Sequence, residues 1–406
     1  MPQVVQHSER TSTVRGTAFL LAAVGIVLVT INLRPPITAL GPLLGQVRAD
    51  TGMSGTVASL LTSLPLLVFV VFSPLAPRIG ARFGLERTLG AALLLLIAGF
   101  AVRSLPSTVA LFAGTVLLGI AITAGNVLMP AWIKQRHSPR SGTMTGLYTA
   151  SLNLGPAAAA GLTIPLQQAT GLGWRATLAL WAILAVAGLL AWLPQLRRNT
   201  GEAPKARPQS TPKLWHLPLA WAVTLFFALL SLLFYTISAW LPTLFADAGM
   251  DRATAGGMVS VISIVGIPFA LLAPILAART KGQVWLTTLG TGLLAAGLLG
   301  VLLSPAHGTL AWMVILGAGQ GVTTGICFAL LLLRSPDTRH AAALAAMTQT
   351  VGYVLAALGP IAFGALHDAT RAWTVPVLLL LVLVGVQCAS GFLAGRDRLV
   401  GERAQR

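Results

Sequence analysis

The sequence predicts an all-α membrane protein with twelve transmembrane helices arranged as two pseudo-symmetric six-helix bundles. Three observations carry this. Of 406 residues, 55% are hydrophobic and only 9% charged, about a third of the charged share of a soluble chain. Apolar runs of about 20 residues, the length that crosses a bilayer, recur twelve times between short polar breaks. Short motifs in the first half return in the same order about 200 residues later.

The first run, 17–43, follows a tail bearing Glu9, Arg10 and Arg15. No small-residue cleavage site follows a short apolar core there, so no signal peptide is expected. Its interior carries Arg34 and the pair Pro35-Pro36. Arg48, Asp50 and Gly52 part it from the second run, 54–76, and Arg78, Arg82, Glu86 and Arg87 mark the next break. The third run, 86–103, ends on Arg103, and the fourth, 108–133, ends before Lys134, Arg136 and Arg140. The fifth and sixth, 142–168 and 174–194, meet near Arg175. Residues 196–215 form the longest polar break, rich in Pro, Lys and Arg, and read as a linker between an N-terminal bundle (1–195) and a C-terminal bundle (216–406). Six more runs follow at 217–245, 254–278, 283–303, 309–333, 341–366 and 373–394, with breaks at Asp247 to Arg252, Arg279 and Lys281, His307, Arg334 to Arg339, and Asp368 to Arg371.

The net charge of +17 resolves into two unequal sides. Twelve spans put both termini on one side, and the breaks and tails there hold 21 basic residues against six acids; the opposite side holds five against four, with Arg34 left inside a span. Loops so basic mark the cytoplasmic face, so both termini are expected in the cytoplasm, beside anionic lipid headgroups. The composition excludes a soluble enzyme. A nucleic-acid binder is excluded as well, because the basic residues do not interleave with aromatics along one surface. Cys327 and Cys388 lie inside apolar runs, which leaves neither a disulfide framework nor a thiolate metal site.

The halves resemble each other in detail. Pro42 is followed by Asp50, Gly52 and Met53, and Pro242 by Asp247, Gly249 and Met250. Leu118-Gly119 precedes Ser138-Pro139 much as Leu316-Gly317 precedes Ser335-Pro336, and Leu154-Gly155-Pro156 matches Leu358-Gly359-Pro360. Parallel six-span repeats joined by a basic linker describe carriers whose two bundles rock around a site near the bilayer midplane.

Several segments carry a closer resemblance: Asn32-Leu33-Arg34-Pro35-Pro36 followed by Gly41-Pro42, Gly125-Asn126-Val127-Leu128-Met129-Pro130, Gly146-Leu147-Tyr148-Thr149, Gly173-Trp174-Arg175, Ala239-Trp240-Leu241-Pro242, Gly319-Gln320-Gly321, and Gly352-Tyr353 through Gly359-Pro360. Together they resemble the cyanate permease and 2-nitroimidazole transporter family of the major facilitator superfamily. The superfamily's GxxxDRxGRR loop pattern is met loosely by Arg82, Phe83, Gly84 and Arg87, but Pro77 and Ala81 stand where its leading glycine and its aspartate would be. The resemblance implies a secondary transporter in a bacterial inner membrane, not an enzyme. A monomer is expected, working by alternating access on a small organic or pseudohalide anion or a nitro-substituted heterocycle.

Arg34 is the candidate substrate anchor. A charge near the bilayer centre costs about 2.5–3.5 kcal/mol on insertion scales, and snorkelling is a weak explanation about 25 Å along the helix from Thr17. Pro35 and Pro36 lack N–H groups and so release the carbonyls of Ile31 and Asn32, and the Asn32 amide adds to this polar site. A planar five-donor fork suits a carboxylate, a nitro group or a small linear anion. The other reading of Arg34 is a structural tie between helices. Asn126, Tyr148, Asn153, Tyr235, Trp240, Gln320, Gln349 and Tyr353 lie on helices that the resemblance makes cavity-lining. Interhelical hydrogen bonding competes with substrate contact for the amides, and a place in the interfacial aromatic belt does so for Trp240. Gln349 and Tyr353, four residues apart, share a helix face. His367 and Asp368 form a titratable pair at a helix end. No phosphate-cradling glycine motif is present, so neither a nucleotide nor another cofactor is expected. The rival readings are a proton-coupled multidrug exporter, an intramembrane enzyme and a non-transporting sensor; the six histidines, in tails, loops and span ends, do not converge as an enzyme would need.

Overall fold

In the computed structural model, which describes residues 20–53, 55–197, 212–305 and 307–401, the chain is helical nearly throughout. The spans are α1 (20–51), α2 (Gly55–Phe72, bent by 56° into a short continuation, Ala76–Phe83), α3 (Leu85–Arg103), α4 (Thr108–His137), α5 (Ser141–Thr170) and α6 (Trp174–Leu180 continuing as Ala182–Arg197). They are followed by α7 (Pro218–Asp247), α8 (Arg252–Arg279), α9 (Val284–Leu303), α10 (Thr309–Leu333), α11 (Thr338–Thr370) and α12 (Thr374–Ala394). Ten segments are long and apolar enough to cross a membrane, and the bent pair adds one. The 52-residue segment Thr108–Ala159 is two helices, α4 and α5, parted by a 3-10 turn at Ser138–Arg140. The expected twelve spans are therefore present. Of the expected linker at 196–215, residues 198–211 lie outside the described residues.

The duplication is written into contacts that recur in both halves. α1 and α7 each carry an aspartate at or next to their last residue and, two residues after it, a glycine with a left-handed backbone, Gly52 at φ 67° and Gly249 at φ 97°, a conformation that strains any residue with a Cβ. Each aspartate accepts an indole N–H from the start of the sixth helix of its half: Trp174 donates to Asp50 at 3.2 Å and Trp373 to Asp247 at 3.0 Å.

A second pair closes the end where the basic loops gather. Glu86, buried at the start of α3, accepts from Arg136 Nε at 2.7 Å and Trp132 Nε1 at 3.2 Å, both near the end of α4. In the second half Gln283, at the start of α9, accepts from Arg334 at the end of α10. Here a buried guanidinium replaces the buried carboxylate as the hub. Arg334 also donates to the carbonyls of Ala394 at 2.8 Å and Gly395 at 3.2 Å, and its own carbonyl accepts from Val400 N at 2.8 Å.

The repeated Leu-Gly-Pro motif makes a third. A Cβ on Gly155 would lie 2.6 Å from Ile31 O, and one on Gly359 would lie 2.5 Å from Thr236 Oγ1. The missing side chain thus lets α5 lie against α1 and α11 against α7, which sets the walls of the space between the bundles.

One sequence expectation is corrected. Arg103, counted with the loop charges, is only 2% exposed and donates to Pro36 O at 2.6 Å. It sits at the last residue of a span, where position along the chain does not distinguish a loop charge from one turned inward. Arg34 is therefore not alone among charges buried between helices.

Candidate functional site

The site begins with the break in α1. Pro35 and Pro36 cannot donate to the turn before them, and the ring of Pro35 crowds the residue it follows. The helix accordingly tightens to 3-10 at Ile31–Leu33, leaves helical geometry at Arg34 (φ −122°), and restarts at Pro35–Thr38. The freed Ile31 carbonyl is the one against Gly155. Arg34 thus projects from an irregular turn in mid-span, deep in the protein yet with part of its surface accessible, as expected of a side chain on a cavity wall.

All three tyrosines of the chain converge on it. Tyr148 from α5, Tyr235 from α7 and Tyr353 from α11 lie within electrostatic reach of the guanidinium. Phe234 adds its ring face, with Arg34 Cζ 5.9 Å from the centroid, at the edge of cation–π range. Arg34 Nε, by contrast, is buried and has no partner.

Toward the basic end lies an aromatic floor. Phe69 packs on Tyr353 with centroids 4.8 Å apart, Tyr148 meets Phe328 edge-on at 5.1 Å, and Phe227 joins Phe328 and Tyr353 at 5.9 and 6.0 Å. Counted at 1.5 Å per residue from the basic-end termini, Phe328, Tyr148 and Phe227 lie about 7–14 Å deep, and Arg34 lies about 21 Å along α1 from Leu20. At and below the level of the floor the bundles are joined. Thr149 Oγ1 donates to Ala270 O at 2.5 Å, Lys134 Nζ to Leu332 O at 2.8 Å, and a Cβ on Gly146 would overlap Leu271 O. The arrangement is a cation above a closed, aromatic basic end.

The remaining sequence candidates divide. Asn126 Oδ1 and both polar atoms of Gln349 are buried without partners, as is the Tyr148 hydroxyl. Groups left so must find a partner in water or in a ligand. Gln320 lines a small pocket with Ser238, Ser263 and Phe234, the ring that faces Arg34. Asn153 is half-buried, and its amide returns to Thr149 O of its own helix at 2.9 Å. Two candidates use their N–H groups within the protein. The Asn32 amide is taken by Leu28 O at 2.6 Å and Leu184 O at 2.8 Å, tying α1 to α6. Trp240 donates to Pro360 O at 2.9 Å and packs with Phe363 and Trp373 in an aromatic cluster with His367. The residues missed by sequence reasoning are the phenylalanines Phe69, Phe227, Phe234 and Phe328. Their only sequence signal is adjacency, Phe234 to Tyr235, because a phenylalanine in a span is ordinarily lipid-facing or core.

Residues 20–360 match the Major Facilitator Superfamily model. The chain belongs to the major facilitator superfamily. Within it, the chain is 43% identical over 377 residues to the uncharacterized transporter YycB of Bacillus subtilis, covering 93% of this chain and 94% of that one. It is 37% identical to the 2-nitroimidazole transporter of Escherichia coli, with 96% and 98% covered, and 31% identical to the cyanate transport protein CynX of Escherichia coli, with 84% and 89% covered. Among solved structures it superposes on the superfamily member FucP with a TM-score of 0.73 at 12% identity, over 93% of this chain and 98% of that one. The protein is thus a secondary transporter of this superfamily, with homologues that carry 2-nitroimidazole and cyanate.

Proposed function

We propose that this transporter moves a small organic or pseudohalide anion, or a nitro-substituted heterocycle, across the bacterial inner membrane by alternating access, with Arg34 as the substrate anchor. The observation that carries the reading is the convergence of the chain's three tyrosines on one accessible mid-span guanidinium. The fork receives the charged or nitro end of the substrate, Phe234 and the aromatic floor receive a flat body, and Asn126, Tyr148 and Gln349 supply polar contacts now unfilled. The relatives' printed substrates, an azole bearing a nitro group and a linear anion, both suit that chemistry. With the basic loops in the cytoplasm, the joined end faces inward and the site is accessible from outside. The two six-helix units, joined through 196–215, are the rocking bodies.

The test is a thermal-shift screen of cyanate, benzoate and 2-nitroimidazole on detergent-purified wild type, Arg34→Ala and Arg34→Lys. At a ligand concentration about 100-fold above Kd, stabilisation of about 2.7 kcal/mol is expected for wild type. It should vanish in Arg34→Ala and fall sharply in Arg34→Lys, since an ammonium lacks the bidentate fork. Equal shifts in all three proteins would refute the anchor.

A further inference from the structure

The charge of Arg34 bears on how the carrier returns. Among the described residues the acids are Asp50, Glu86, Asp247, Asp251, Asp337, Asp368 and Asp397, and each falls at or near a helix end or in a loop, none beside Arg34 in mid-span. What surrounds the guanidinium is neutral: the hydroxyls of Tyr148, Tyr235 and Tyr353 and the ring of Phe234. Changing access requires both ends to be closed for a moment over this site. With an anion aboard, that closed state holds an ion pair supported by hydrogen bonds. Without one, it holds a guanidinium cut off from bulk water and faced only by phenols. Burying a charge without its partner is far costlier than burying the pair, so the empty closed state is the high point of the cycle.

We infer that the protein is an anion exchanger: it crosses between its two open states rapidly only with an anion on Arg34, so one anion goes out for each that comes in. Each turn is electroneutral, because the carrier makes both crossings with its charge compensated. Net movement of anion in one direction is slow, limited by the return of the empty carrier. This inference rests on Arg34 being the substrate anchor.

The experiment uses full-length wild type in proteoliposomes. Whichever of cyanate, benzoate and 2-nitroimidazole gives the largest Arg34-dependent thermal shift, at a pH where it is anionic, is supplied outside in labelled form. Vesicles contain either the same unlabelled compound or none, and valinomycin with equal potassium on both sides holds the potential at zero, so that charge build-up cannot slow net uptake. Uptake into preloaded vesicles should be faster by about tenfold or more. Equal initial rates would overturn exchange while leaving Arg34 as the anchor. If none of the three compounds gives an Arg34-dependent shift, the reading of the site fails and the exchange inference falls with it.

Discussion

A methyl group at Gly155 should weaken substrate binding although it touches no substrate. The Cβ of Gly155→Ala would stand 2.6 Å from Ile31 O and 3.2 Å from Pro35 Cδ, so it falls about 0.8 Å short of ordinary contact with the carbonyl. Neither neighbour is a flexible chain end: one is backbone in the 3-10 turn, the other the ring that fixes where the helix restarts. Overpacking of this kind costs about 1–3 kcal/mol, and the helix propensity of alanine over glycine returns about 1 kcal/mol. The net loss of stability is therefore about 0–2 kcal/mol, small enough for the protein to fold. The displaced Ile31 carbonyl lies three residues before Arg34, however, and a guanidinium moved by a fraction of an ångström loses its bidentate alignment. Binding should drop about tenfold, equivalent to about 1.4 kcal/mol. Gly161→Ala on the same helix is the control, because nothing lies within 4 Å of its Cβ. The assay is a melting temperature and a dissociation constant for each protein against the strongest ligand of the thermal-shift screen. If Gly155→Ala matches Gly161→Ala in both, the packing of α5 on the break in α1 does not position Arg34.

Lys134→Met removes a charged hydrogen bond that joins the bundles at the basic end; at about 1.5–3 kcal/mol this should shift the equilibrium at least tenfold toward opening there. Spin labels at the exposed Arg78 and Arg339, one on each bundle at that end, would report a longer distance component, and an unchanged distribution would count against the latch. At the opposite end, hydrogen bonds from Arg175 and then Trp174 hold the Asp50 carboxyl below its ordinary value of 3.8. A depressed folded pKa gives stability that is present above the unfolded value and lost as pH falls through the folded one. The melting difference between wild type and Asp50→Asn should thus stay flat from about pH 8 to 5 and close only below 3.8; a difference that changes near neutral pH would contradict the pairing.

What the sequence revealed and what it concealed follow from one physical distinction. Span number, the duplication and the break at Arg34 depend on local chemistry: apolar length, the missing N–H groups of Pro35 and Pro36, and recurrent motifs. They were readable for that reason. Which way a side chain turns depends on neighbours far along the chain, and there the sequence was silent. Asn32 sits one turn from Leu28, but its second acceptor is Leu184 O, 152 residues away. Trp240 is claimed by Pro360 O, 120 residues on. Arg103 looked like a loop charge until Pro36 O, 67 residues earlier, was seen to receive it. The tyrosines were identified as candidates from their helices, but their meeting at one guanidinium needed three helices to be placed.

The two basic-end hubs differ in when they can form during synthesis. Glu86 and Arg136 are 50 residues apart on consecutive spans, so the first hub can close as soon as α4 has emerged. Arg334 finds its carbonyl partners 60 and 61 residues later, at Ala394 and Gly395, beyond the last helix. Until α12 and the turn after it exist, Arg334 has Gln283 but lacks the two carbonyl acceptors that complete its burial. The second half is therefore sealed from its own C-terminal end, and a chain interrupted before Ala394 leaves the Arg334 guanidinium short of two of its acceptors.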